Sequence, residues 1–190
     1  MQKKSRLIIG ITGASGIIYG IRLLELLQKT SLETHLIVSK AAQQTRHYET
    51  DLTAAELFAL ADRHYPIEDI SASIASGSYR TIGMIIAPCS MNTLANIAQG
   101  NTSNLITRAA DVVLKERRKL VLMPRETPLH LGHLRNMTQI TEMGAIIAPP
   151  MPAFYNQPQT IDDLVNYNVA RILDLFDLEI AGIKRWRESE

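Results

Sequence analysis

A chain of 190 residues, 46% hydrophobic and 21% charged, has the size and composition of one globular domain and is long enough to bury about 70% of the surface it exposes when unfolded. Twenty basic against nineteen acidic side chains leave a formal charge of +1, too little to attract DNA or an anionic membrane, and 5% aromatics do not make a base-stacking platform. The single cysteine, Cys89, excludes an intramolecular disulfide and a cysteine-rich zinc site and fits a reducing compartment, leaving small molecules or further copies of the chain as partners.

The chain opens with Lys3, Lys4 and Arg6 ahead of the apolar run Leu7–Ile21, a profile that superficially resembles a secretion signal. Glycines, Thr12 and Ser15 interrupt the run, and a strand over Arg6–Thr12 turning into a helix over Gly16–Lys29 accounts for them better. The cytoplasm is the expected compartment, and no other stretch is long enough to span a bilayer. A strand over Thr34–Ser39 follows, then helices over Lys40–Tyr48 and Ala54–Ala61, and the Ser/Gly-rich connection Ile67–Thr81. The next strand, Met84–Pro88, runs into a helix over Met91–Ala98, and another helix covers Asn104–Arg117. The last third reads as strand Leu120–Met123, helix Leu131–Met143, strand Ala145–Ala148, a proline-rich loop Pro149–Pro158 and helix Ile161–Phe176. Short apolar strands alternating with longer helical patterns predict repeated βαβ units. The expected fold is α/β: a three-layer sandwich, flavodoxin-like or Rossmann-like, with helices on both faces of a parallel sheet. One domain spans 1–190, with a core of about 6–176 and a tail of 177–190.

Parallel sheets place their ligands at the carboxyl ends of the strands, and three strand ends here carry candidate chemistry. Gly10-Ile-Thr-Gly-Ala-Ser-Gly16 falls where the first strand turns into a helix, where glycines permit close backbone approach and helix N–H groups favour a phosphate. The spacing is not GxGxxG, and the second strand ends in Ser39-Lys40 rather than an acid, which disfavours NAD. Ser15 and Ser39 have a simpler reading as helix caps. Pro88-Cys-Ser-Met-Asn-Thr93 offers small polar contacts to a flat heterocycle, with Cys89 read as a small buried hydrophobe rather than a nucleophile. Lys119-Leu-Val-Leu-Met-Pro-Arg-Glu-Thr-Pro-Leu129 ends an apolar run in Arg125 and Glu126, held between two prolines; the alternative is an ion pair without chemistry. Arg108 and Lys115, seven apart, share a helix face, and Tyr155 stands in the proline-rich loop. His130, His133 and Glu126 do not complete an HExxH pattern, so no metal is expected.

Taken together, Gly10–Gly16, Pro88–Thr93, the Arg108–Arg118 helix, Pro124–Leu129 and Ala153-Phe-Tyr-Asn-Gln-Pro158 resemble the UbiX-type flavin prenyltransferases, in consistent order from about Arg6 to Phe176. The resemblance implies a metal-independent enzyme that joins the dimethylallyl group of dimethylallyl phosphate to N5 and C6 of reduced FMN, in a dodecamer with active sites at subunit contacts. Its product would serve a UbiD-type decarboxylase in ubiquinone biosynthesis or aromatic acid decarboxylation. It assigns FMN to Gly13, Ala14, Ser15, Ser39, Cys89, Ser90, Met91, Asn92 and Arg125. It assigns the prenyl phosphate to Arg108, Lys115, Arg125, Tyr155 and Arg171, some reaching in from neighbouring subunits, with Trp186 near the prenyl pocket. Ser15 and Glu126 become the proton-handling pair, beside Arg125. Asn92 stands where the family commonly has lysine. The absence of an Asp-rich DDxxD motif agrees with cationic side chains, rather than magnesium, carrying the leaving phosphate. The rival reading is an FMN-dependent cysteine or phosphopantothenoylcysteine decarboxylase, which would need a Met-rich substrate clamp and a histidine base where this chain has Arg125-Glu126-Thr127-Pro128-Leu129.

Overall fold

The computed structural model describes residues 5–180. Strand β1 (Arg6–Ile11) is almost wholly buried, and its side chains divide by the two-residue pleat. Leu7, Ile9 and Ile11 enter one apolar cluster, and Ile8 enters a second on the opposite face. The other buried strands split in the same way: β2 (Glu33–Val38), β4 (Gly83–Cys89) and β5 (Lys119–Pro124). A sheet covered on both faces explains why these segments read as unbroken apolar runs.

With β3 (Arg63–Tyr65) and β6 (Ile146–Ile147), six strands lie in the order β3-β2-β1-β4-β5-β6, every pair parallel, which is the order of doubly wound Rossmann-type sheets. The first cluster draws on α1 (Ile17–Leu27), α2 (Lys40–Glu49), α3 (Ala54–Ala59) and α7 (Ile161–Asp174). The second draws on α4 (Met91–Ala98), α5 (Leu105–Lys115) and α6 (Leu131–Glu142). Among the described residues no helix is long and apolar enough to cross a membrane.

Five of the strands fall where the apolar pattern predicts them. The sixth, β3 (Arg63–Tyr65), is an edge strand of three residues, Arg-His-Tyr, all at least partly exposed, so it carries no apolar signal. The last strand, β6, shrinks to Ile146–Ile147 at the opposite edge. Within the connection 67–81 only a single 3₁₀ turn, Ser73–Ala75, is regular.

Candidate active site

The chain moves outward from β1 to β2 and β3, then crosses back to β4, so the loops after β1 and β4 diverge at the carboxyl edge. Such a switch point opens a crevice. Thr12 ties its two sides together. Its buried hydroxyl donates to the Pro88 carbonyl at 2.9 Å and accepts from the Ser90 N–H at 2.7 Å, while its own N–H reaches the same carbonyl at 3.2 Å. The loop after β5 is stitched to both: Arg125 N–H donates to the Cys89 carbonyl at 3.2 Å, and Arg125 Nε to the Ser15 carbonyl at 3.0 Å. The guanidinium stands 5.7 Å from the Tyr19 ring centroid. Gly16 makes room for it. Its φ is +98°, and a Cβ there would approach Arg125 Nε to 3.2 Å and the Tyr19 ring to 3.1 Å. The sequence marks Thr12 as the polar end of the first strand but gives it no part in the site; a polar residue closing an otherwise apolar strand just before a glycine turn is the available signal.

A cavity of about 330 Å³ opens here, lined by Ser15, Pro124, Arg125, Glu126, Thr127, Pro149, Pro150 and Met151. Three residues expected to act together, Ser15, Arg125 and Glu126, therefore converge from loops some 110 positions apart. Its volume lies within the usual range for small-molecule sites. Glu126 is exposed and accepts the Thr127 N–H at 3.0 Å. Arg125 forms no ion pair with a carboxylate among the described residues, which leaves its charge available to an anion.

One expectation at this edge needs correction. The N-terminus of α1 is already engaged: Glu49 Oε2, at the end of α2, accepts from Gly16 N–H at 2.9 Å and from Ile17 N–H at 3.1 Å. A carboxylate complements the positive helix end as a phosphate would. Glu49 thus joins the site's periphery, a residue missed because nothing local marks it. Ser15 does not cap α1, whose N-cap is Gly16. Ser39 and Ser90 do act as caps, accepting from Ala42 N–H at 3.1 Å and Thr93 N–H at 3.2 Å. Gly13 and Ala14 are half-buried along the loop, and a Cβ on Gly13 would sit 2.3 Å from that of Ala41. Cys89 is wholly buried in the second cluster, where desolvation pushes its thiol up to about 12. That is an inert hydrophobe, as the composition of the segment predicted. Met91 is buried and Asn92 exposed, both in the first turn of α4.

The remaining candidates lie elsewhere on the single chain. On α5, Arg108 pairs with Asp111 at 3.0 Å and Lys115 with Glu116 at 2.5 Å. Lys115 also lines a separate cavity of about 610 Å³ with Asp111, Arg117, Glu142 and Met143. Arg171, on α7, pairs with Asp174 at 2.8 Å, and Tyr155 contacts Tyr167 of the same helix. None of the four borders the 330 Å³ cavity. Trp186 lies outside the described residues. His130 caps α6 through Nδ1, and no group of three His, Cys, Asp or Glu side chains converges among the described residues.

Comparison with known proteins agrees with this geometry. The flavoprotein family model matches residues 1–173. A flavin prenyltransferase UbiX of Thauera aromatica is 56% identical over 97% of this chain and 95% of its own length. A UbiX crystal structure in complex with FMN and dimethylallyl pyrophosphate superposes with a TM-score of 0.97 at 49% identity, covering 99% of this chain and all of that one. A dodecameric FMN-dependent UbiX-like decarboxylase from Escherichia coli O157:H7 gives a TM-score of 0.94 at 52% identity, covering 96% of this chain and 99% of that one. A peptidyl-cysteine decarboxylase, at 18% identity and a TM-score of 0.61, shares the fold alone. The chain belongs to the UbiX-type flavin prenyltransferases.

Proposed function

We propose that this protein transfers the dimethylallyl group of dimethylallyl phosphate to N5 and C6 of reduced FMN, releasing phosphate and supplying prenylated FMN to a UbiD-type decarboxylase. The observation that carries the reading is the meeting of Ser15, Arg125 and Glu126 in one cavity at the sheet's switch point. The donor set fits FMN. The loops after β1 and β4 carry small residues, Gly13, Ala14, Ser15 and Ser90, of which Ser15 lines the cavity of about 330 Å³, and small residues let a planar ring approach the backbone. An arginine without a carboxylate partner stands at its edge for the flavin's own phosphate or the donor's. Gly13, Ala14, Ser15, Ser39, the Cys89–Asn92 loop and Arg125 would hold FMN. Cys89 would do so through its backbone, since its side chain is in the core.

Bound reduced FMN supplies the electron-rich ring that takes up the dimethylallyl carbon. The chain's own residues do the rest. Arg125, with Arg108, Lys115, Tyr155 and Arg171, surrounds the donor's phosphate and stabilises the negative charge it gains as its C–O bond breaks, a task preorganised cations perform best in a water-poor site. Arg108, Lys115, Tyr155 and Arg171 stand away from the cavity within one chain, so the reading requires neighbouring copies to bring them in, as in the dodecamer of the E. coli relative. Ser15 and Glu126, both lining the cavity, handle the protons: N5 and C6 each lose one, and the dimethylallyl double bond takes one up as its tertiary carbon joins C6. Trp186 would flank the prenyl group, and the cytoplasm is the compartment this reading assigns.

Anaerobic incubation of the protein with reduced FMN and dimethylallyl phosphate, followed by mass spectrometry of the released flavin, tests it. A gain of one five-carbon unit is expected. Unmodified flavin recovered from protein that binds both ligands would overturn the reading.

A further inference from the structure

The loop that carries Tyr155 has little packing to fix it. Tyr155 stands in a 3₁₀ turn, Phe154–Asn156, whose segment leaves Met151 70%, Phe154 73% and Tyr155 47% exposed. A surface this open orders itself poorly by burial alone. Tyr167, on α7, meets it from the body of the protein. The two phenol oxygens are 2.5 Å apart and the rings meet edge-on, with centroids 6.1 Å apart and planes at 89°. Tyr167 and Arg171 are four positions apart on α7 and so lie on one face. The charge of Arg171 acts on the Tyr167 phenol, as does that of Asp174. The hydrogen bond to Tyr155, in which either hydroxyl can donate, is the main cause holding the Tyr167 phenol above its usual value. Tyr167 thus contacts Tyr155 from the same face of α7 that carries Arg171.

We propose that Tyr167 is a positioning residue for the donor's phosphate, fixing the Tyr155 phenol against α7 so that Tyr155 and Arg171 meet one phosphate group together. The inference rests on the reading above, in which Tyr155 and Arg171 hold that phosphate. Tyr167 touches no reacting atom; its effect passes through Tyr155.

Steady-state prenylation by the full chain in its native assembly, at saturating reduced FMN and varied dimethylallyl phosphate, provides the test. Tyr167→Phe keeps the edge-on ring contact and removes only the hydroxyl that meets Tyr155. It should raise KM for dimethylallyl phosphate about three- to tenfold, the loss of one hydrogen bond, with kcat within about twofold and FMN affinity unchanged, which also reports intact folding. Tyr155→Phe should raise KM at least as far, and the double variant should be no worse than Tyr155→Phe alone. Inorganic phosphate as competitive inhibitor should weaken in parallel in both single variants. If Tyr155→Phe raises KM while Tyr167→Phe does not, or if the two effects multiply, the positioning role is wrong. If neither Tyr155→Phe nor Arg171→Ala alters KM, the phosphate reading beneath it is wrong as well.

Discussion

Arg125 is fixed at three points: its backbone N–H on Cys89, its Nε on Ser15, and its guanidinium beside the Tyr19 ring. Lysine has no Nε–H at that position and no planar face. Arg125→Lys should therefore keep the charge yet lose the tether to Ser15, raising KM for dimethylallyl phosphate and lowering kcat about tenfold or more in steady-state assays. Next to it, Glu126 has the freedom of an exposed side chain, which suits its proposed part in moving protons. Glu126→Gln should lower turnover to prenylated FMN by about a hundredfold or more, read by mass spectrometry and flavin absorbance, with FMN affinity retained. Full activity in this variant would remove Glu126 from the chemistry. Cys89 gives the opposite expectation. With its thiol pushed up to about 12 by burial, it should resist iodoacetamide at pH 8 in the native protein and react only on unfolding. The placement of Arg125 and Glu126 at the cavity and the burial of Cys89 were legible in sequence because each residue sits at the end of an apolar run. Thr12, Glu49 and Tyr167 were not, since each matters through a partner distant in the chain.

Among the elements, α6 shows how the loop that carries Arg125 and Glu126 is anchored at its far end. Residues 125–130 are all exposed, and the loop closes where His130 Nδ1 accepts from Gly132 N–H at 3.0 Å and His133 N–H at 3.4 Å. The two imidazole rings lie 3.6 Å apart, centroid to centroid. His130→Ala removes the acceptor and should cost about 1 kcal/mol in urea unfolding, whereas His130→Asn, itself a good N-cap, should cost little. Equal losses in both would mean that the ring contact, not the cap, matters. The pattern that foretold α6 could not foretell its cap, because histidine is not a residue that marks helix starts. Strand β3 escaped for a related reason. Its three residues pair with β2 through His35–Ile37, so backbone bonds at a sheet edge, not apolar side chains, define it.

At the scale of the molecule, two features await measurement. The cations on α5 stand away from the cavity holding Ser15, Arg125 and Glu126. If neighbouring copies complete the site, mixed assemblies of Lys115→Ala and Glu126→Gln chains should regain activity that neither homogeneous assembly has; mixtures no better than the parents would place each site within one chain. The second feature lies near the amino edge of the sheet. His35 is fully buried, its Nδ1 2.8 Å from the Tyr65 hydroxyl and its Nε2 3.3 Å from Glu33. Burial holds its imidazole below the usual 6.5, against Glu33 and Asp62 and aided by Arg63 and Arg6. The unfolded chain then binds a proton more readily than the folded one. Stability from neutral His35 is complete above about pH 6.5 and declines as pH falls below it, by at most about 1.4 kcal/mol per pH unit. Urea midpoints between pH 7.5 and 5 should fall in the wild type and flatten in His35→Gln.

Alternating apolar runs, strand-end glycines and the Arg125-Glu126 pair determined the layered α/β fold, the edge where the cavity opens and the family, because each is written in consecutive residues and the burial period they impose. Tertiary structure alone decided which loops meet. Thr12 bonded to Pro88 and Ser90, Glu49 on the α1 terminus and Tyr167 against Tyr155 depend on the order in which strands join the sheet and on helices packing across it, and a linear pattern carries no record of either.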